Sequence, residues 1–198
     1  NFKCHIQSTP PKDMHDIEPY YNWKELYDCV EDNRCPFYGK VYETTHYSNK
    51  IYNYYIHPYW DEIGSETLFL KLQYSDYEEG YCIIELIGEW NDCINNDIMY
   101  LKRNLVDSLI QQGIFRFILL CDHVFNYHGS DDCYYEEWRD DVAEEDGYIC
   151  MINIQTHLIQ EMKQFGLQYH VQFGSKTQDI NWRKMSPQSL YEYIENHV

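Results

Sequence analysis

Apolar and polar positions change period several times along the chain, and each change marks an element. At 67–74 (TLFLKLQY), Leu68, Leu70, Leu72 and Tyr74 alternate with Phe69, Lys71 and Gln73 at the two-residue period of a strand. After the turn-forming SDYEEG comes YCIIELIG at 81–88, nearly all apolar and β-branched at its centre. The two runs read as an antiparallel hairpin whose second strand is well buried. Residues 91–112 place Ile94, Ile98, Leu101, Leu105 and Leu109 at helical spacing, with Asn91 or Asp92 as N-cap and Gly113 just past the end. FRFILLC at 115–121 is too short and too apolar for an exposed strand. A strand reached from a helix in this way predicts a parallel crossover.

The pattern then repeats. Ser130 is placed to cap a helix with Asp131 and Asp132 in its first turn, followed by Tyr134, Tyr135, Trp138 and Val142 and broken before Gly147. YICMIN at 148–153 reads as another buried strand, and a helix runs from about Thr156 through Leu158, Ile159 and Met162 to Gly166. LQYHVQF at 167–173, with Tyr169, Val171 and Phe173 alternating, reads as an exposed edge strand. Ser186 before Pro187 opens a last helix carrying Leu190 and Ile194 on one face.

This order predicts an α/β fold: a mixed, mostly parallel sheet of about five strands with an antiparallel hairpin edge. Right-handed crossovers in one direction put the helices mainly on one face. The other face needs cover, and the aromatic N-terminal segment is the material for it. The expected organisation is a single domain over 1–198. An extended arm at 1–20 holds Pro10, Pro11 and Pro19, and a Tyr-rich segment follows at 21–62, with a short helix at 21–33 and one or two strands at 37–60. The ββαβαβα core and C-terminal helix occupy 63–198.

Composition narrows the function. The net charge of −18, with no run of Lys or Arg, argues against nucleic acid, whose binding needs cations to replace counterions. Such acidity reads first as a solubility feature, and in its sharper reading as a surface for a basic partner or as a nucleic-acid mimic. No stretch has the roughly 18 to 20 apolar residues that span a bilayer, so no membrane role is expected. The chain opens on Asn1 rather than Met, which leaves an upstream segment open. Of the eight cysteines, Cys82, Cys121 and Cys150 fall in apolar runs and read as small buried hydrophobes. Cys29 and Cys35 stand six apart with no matching second pair, so neither a zinc ribbon nor a thioredoxin-type motif is supported. A reducing, cytoplasmic setting is the expectation.

Candidate chemistry gathers where parallel strands end, because loops and helix N-termini converge there. Three loops are nominated: 88–92, 122–132, and the run from Asn153 through Thr156 and His157. The second carries two histidines and three carboxylates within eleven residues. Asp92, Asp122, His128 and Asp131 are the candidate ligands of a divalent metal, the carboxylates suiting a hard cation and the histidine a transition metal. Asp131 also has a structural explanation beside a helix N-terminus. Glu89 with Asp122 or His123 is the candidate acid/base pair, expected to meet across adjacent strand ends. His46, His57, His170 and His197 are scattered singles. No G-x-G-x-x-G, G-x-x-x-x-G-K-[ST] or G-x-S-x-G occurs, so the usual marks of nucleotide binding and of a serine nucleophile are missing.

The run LLCDHVFNYHGSDDCYYEEW at 119–138 resembles an uncharacterised family of conserved bacterial proteins, a resemblance that implies no activity. The strand-helix-strand run at 81–121 is similar in order to the small α/β regulatory domains of the sulfate-transporter and anti-sigma-antagonist type. The charged stretch after Cys121 departs from that pattern. Two functions are carried forward. One is a non-catalytic protein-binding or regulatory domain, beside which stands a structural reading as a homo-oligomer joined through the edge strand near Tyr169 or the Tyr-rich N-terminal surface. The other is a metal-assisted or acid/base hydrolase with its site at the strand ends.

Overall fold

The computed structural model describes residues 15–45, 47, 50–52 and 54–197. The arm expected at 1–20 lies mostly outside them, as does His46. A small three-stranded sheet comes first: β1 (His15–Ile17), β2 (Lys50–Ile51) and β3 (Tyr54–Ile56), in the order β1-β3-β2. The main sheet follows, with β4 (Asp61–Glu62), β5 (Leu68–Asp76), β6 (Tyr81–Asn91), β7 (Arg116–His128) and β8 (Tyr148–Ile152) neighbouring one another in chain order. β4-β5 and β5-β6 are antiparallel, whereas β6-β7 and β7-β8 are parallel. The fold is therefore α/β with a mixed five-stranded sheet. The N-terminal strands only partly extend it, since β4 joins its edge and β2 and β3 pair elsewhere.

Alternation along the strands sends side chains to two faces, and each face is filled differently. Leu68, Leu70, Leu72, Cys82, Ile84, Leu86, Phe117, Leu119, Ile149 and Met151 form one core with the helices. Those helices are α1 (Asp97–Leu101) and α2 (Asp107–Gln111), joined by a π-helical turn, then α3 (Cys133–Ala143) and α4 (Thr156–Gln164). Tyr81, Ile83, Ile118, Leu120, Cys150 and Ile152 point the other way, under Trp23, Trp182 and α5 (Pro187–Glu195). Helices thus lie mainly on one face, and the N-terminal aromatics share cover of the second with the last helix.

Four local expectations are corrected. The first long helix starts at Asp97 rather than 91, because β6 runs on to Asn91. Asp92 and Asp97 then brace the turn: Ile98 N–H donates to Asp92 Oδ1 at 2.8 Å and Asn91 N–H to Asp97 Oδ2 at 2.7 Å. Ile94, counted toward the apolar face, is exposed in that turn. The helix expected from Ser130 begins at Cys133 with Asp132 as N-cap, so Asp131 and Asp132 precede it. The segment 167–173 is not an edge strand. It holds a 3-10 turn (Leu167–Tyr169), and Gln172 exchanges main-chain bonds with Ile149 and Met151, which covers the β8 edge. Residues 21–33 form turns instead of a helix, held by tertiary contacts such as Trp23 Nε1–H to Met185 O at 3.0 Å.

Candidate functional site

The run expected as a charged loop after Cys121 is largely strand. β7 continues to His128 because β6, itself longer than its apolar run, pairs with it as far as Asn91. The pairing is not uniform. β7 carries one extra residue between the partners of Glu85 and Ile87, and another between those of Gly88 and Glu89. Such bulges re-aim side chains, and the first brings His123 and the bulged Asp122 beside Glu85 on the face under Trp182.

Glu85 was not among the candidates, yet it is the centre of this cluster. It stands in an otherwise apolar strand and is 2% exposed. Its Oε2 accepts from Tyr20 N–H at 2.9 Å and Gln73 Nε2 at 2.7 Å. Its Oε1 lies 3.5 Å from Arg183 Nη2 and 3.8 Å from His123 Nδ1, and both Oε1 and that Nδ1 are buried without a hydrogen bond. Burial pushes the Glu85 carboxyl up to about 7, against the pull of Tyr20, Arg183 and Gln73. Burial lowers His123, helped by the Arg183 charge. A single carboxyl inside an apolar run was the sequence signal for this residue, because an ionisable group is buried only where partners await it.

Asp122 is bound on all sides. Trp182 Nε1–H donates to its Oδ2 at 2.9 Å, while Arg183 Nη1 and Asn153 Nδ2 reach its Oδ1 at 3.0 and 3.3 Å. Arg183 lies over the Trp182 ring at 4.2 Å, and Tyr20 O–H donates to Arg183 O at 2.7 Å. One guanidinium therefore faces both Glu85 and Asp122. β8 stops at Ile152, opposite Leu120, and the space beyond is an open cleft of about 540 Å³. Its lining includes Asp122, Asn153, Gln155, Thr156, Asn181 and Arg183. This is the strand-end crevice expected from topology, although neither Glu85 nor His123 lines it.

The remaining candidates are dispersed. Glu89 sits in register with Asn126, four residues along from Asp122, and takes a hydrogen bond from Tyr52 O–H, so it does not face Asp122 or His123. Asp92 is buried and accepts from Tyr135 O–H at 2.6 Å, Trp90 Nε1–H at 3.0 Å and Ile98 N–H. Burial pushes it up to about 6. Trp90 is fully buried and closes the core under the first helix. His128 Nε2 lies 3.0 Å from Asn126 Nδ2, and exposed Asp131 accepts from Cys133 N–H at 3.3 Å. Asp92, Asp122, His128 and Asp131 are each engaged separately and do not converge as a ligand set. Among the described residues, one carboxylate trio has ligand atoms within 4.8 Å of one another: Asp107, Glu137 and Asp141. The ammonium of Lys102 lies among all three. His170 is held between Asp132 at 2.9 Å and Arg139 at 3.0 Å.

Comparison with protein-family models, with curated proteins and with solved structures gives no match, so the class of the protein, α/β with a strand-end cleft, rests on its own geometry.

Proposed function

We propose that the protein is a non-catalytic binding domain that holds an extended, basic segment of a protein partner in the strand-end cleft. The observation that carries this reading is the cleft itself, whose walls are locked by internal hydrogen bonds. Asn153 bonds Asp122 and both main-chain groups of Ile180, and Gln155 reaches the Asp122 carbonyl. A preformed polar wall orders little on binding, which lowers the entropic cost of capture. The Thr156 hydroxyl and the Asn181 amide line the cleft and complement peptide groups, and the overall charge of −18 favours a cationic segment. The free thiols of Cys29, Cys35, Cys82, Cys93, Cys121, Cys133 and Cys150 support a reducing cytoplasmic setting. No helix among the described residues is long and apolar enough to cross a membrane.

The test is selection from a displayed library of random peptides, repeated on Thr156→Lys, which fills the cleft mouth with a cation at an exposed position. Enriched peptides bearing Lys or Arg, bound at least tenfold more weakly by the variant, support the reading. No enrichment, or equal binding by the variant, refutes it. One observation favours acid/base hydrolysis instead: Glu85 Oε1 and His123 Nδ1 lie 3.8 Å apart, each buried without a hydrogen bond. Chelator-resistant turnover of ester or phosphate substrates, lost in Glu85→Gln, would put that reading first.

A further inference from the structure

β5 carries a bulge of its own: Gln73 is an extra residue between Leu72, paired with Ile84, and Tyr74, paired with Ile83. Between residues 71–73 of this strand and the N-terminal segment stands a cavity of about 270 Å³. Protein interiors keep few voids larger than a water molecule, so a gap of this size needs a cause. Its walls are pinned from behind. Tyr20 O–H donates to Arg183 O at 2.7 Å, Tyr27 O–H to Asp32 Oδ2 at 2.9 Å and Tyr42 O–H to Asp61 Oδ1 at 2.8 Å, and none of these acceptors lines the cavity. Gln73 Nε2 donates to Glu85 Oε2 at 2.7 Å.

With their hydroxyls committed elsewhere, the three tyrosines offer the cavity ring carbons. Pro19, Tyr59 and Leu72 continue the apolar wall, and the Tyr42 and Tyr59 rings meet edge to face at 5.6 Å. Such a wall suits another aromatic ring. An apolar cavity of about 150 Å³ already takes up benzene, so this one has room for a single ring with a substituent.

The charged lining decides the substituent. It consists of Glu18, Lys24, Asp28 and Lys71. Both oxygens of Asp28 are committed, Oδ1 to Val30 N–H at 3.2 Å and Oδ2 to Lys24 Nζ at 3.4 Å. Glu18 is exposed and lies 3.8 Å from His57 Nε2. The Lys71 side chain is 15% exposed and donates to Tyr42 Oη at 2.5 Å and Asp61 Oδ2 at 3.1 Å, which leaves its third N–H without an acceptor among the described residues. Asp61 is fully buried and also takes Lys40 Nζ at 2.8 Å, so two ammonium groups stand against one carboxylate. The unmet group at the wall is a cationic donor, which calls for an anion.

We propose that this cavity binds a single-ring aromatic carboxylate, its ring among Tyr20, Tyr27 and Tyr42 and its carboxylate on Lys71 Nζ. Burial of the ring supplies affinity, and the charge-assisted bond selects the anion. The cavity shares no lining residue with the strand-end cleft, so this binding is separate from capture of a peptide there.

The test is calorimetric titration of the full chain at neutral pH with benzoate, benzamide and benzylamine, which are anionic, neutral and cationic forms of one shape. Saturable binding of benzoate, at least tenfold tighter than of benzamide and with benzylamine weaker still, is expected, since one charge-assisted hydrogen bond supplies a factor of that order. Lys71→Gln keeps a donor and removes the charge, and should bring benzoate down to the affinity of benzamide, whereas Lys71→Arg should retain the preference. No saturable binding of benzoate, equal binding of benzoate and benzamide, or an undiminished preference in Lys71→Gln overturns the proposal. Should Lys71→Gln fail to fold, nuclear Overhauser contacts between the benzoate ring and the Tyr20, Tyr27 and Tyr42 rings of the wild type decide in its place, and their absence overturns it.

Discussion

Glu85→Gln isolates the cost of burying one carboxyl. The substitution keeps shape and leaves an oxygen for Tyr20 N–H, while removing the ability to ionise. In the folded chain burial raises this carboxyl from its ordinary 4.5 to about 7. Between those values the folded state holds a proton that the unfolded state has lost. The group's contribution to stability is therefore complete below pH 4.5, falls as pH rises, and is gone above about pH 7. At about 1.4 kcal/mol per pH unit, the wild type loses about 3 kcal/mol over that interval, and Glu85→Gln does not. Lowering of His123 acts with the opposite sign, costing stability as pH falls, but it is present in both proteins and cancels in the difference. Urea unfolding from pH 4.5 to 8 is the assay. The stability of the variant minus that of the wild type should climb by about 3 kcal/mol across the range, whatever constant offset the mutation adds by altering the Arg183 contact. Parallel curves would refute the assignment of Glu85 as a carboxyl held protonated into the neutral range.

Two further substitutions test the rest of the network. Asp92→Ala leaves Tyr135 O–H, Trp90 Nε1–H and Ile98 N–H without their acceptor, so a loss of about 3 kcal/mol or more is expected in urea unfolding, with faster hydrogen exchange at the Ile98 amide. Asp92→Asn, which keeps an acceptor oxygen, should lose less. Lys102→Met removes the buried ammonium from among Asp107, Glu137 and Asp141, and should cost about 1–3 kcal/mol, the carboxylates being partly solvated. Because Arg103 still bonds Asp107 and Glu137 in that variant, it takes Lys102→Met/Arg103→Met to free the carboxylate trio, and millimolar Mg²⁺ or Ca²⁺ should then raise the Tm of the double variant while leaving the wild type unchanged.

The hairpin, the buried parallel strands and the last helix were legible because local pattern alone specifies them. Leu68, Leu70 and Leu72 alternate, YICMIN is continuously apolar, and Ser186 with Pro187 makes a capped helix start that the Ser189 N–H bond to Ser186 Oγ completes. The strand-end cleft was legible through topology, since parallel strands of unequal length leave a crevice where the shorter one stops. The segments 122–128 and 167–173 were misread because polarity was taken as loop in the first and alternation as strand in the second. In β7 the polar residues Asp122 and His123 are strand because β6 supplies main-chain partners. In 167–173 the period-two pattern only covers the end of the sheet.

Asp122 and His123 were therefore found from sequence, but Glu85 and Arg183, which give them their environment, were not. Sequence by itself determined the hairpin, the buried parallel strands, the last helix, their α/β order and the end of the sheet where a cleft opens, because these follow from periodicity and short-range capping. Only tertiary structure decided that a bulge in β7 turns Asp122 and His123 toward Glu85, that Arg183 arrives from 98 positions beyond Glu85 to face both carboxylates, and that Lys71 and tyrosines of the N-terminal segment enclose one cavity. Burial and long-range partners set the charge state of these groups, and neither is encoded in the spacing of neighbours along the chain.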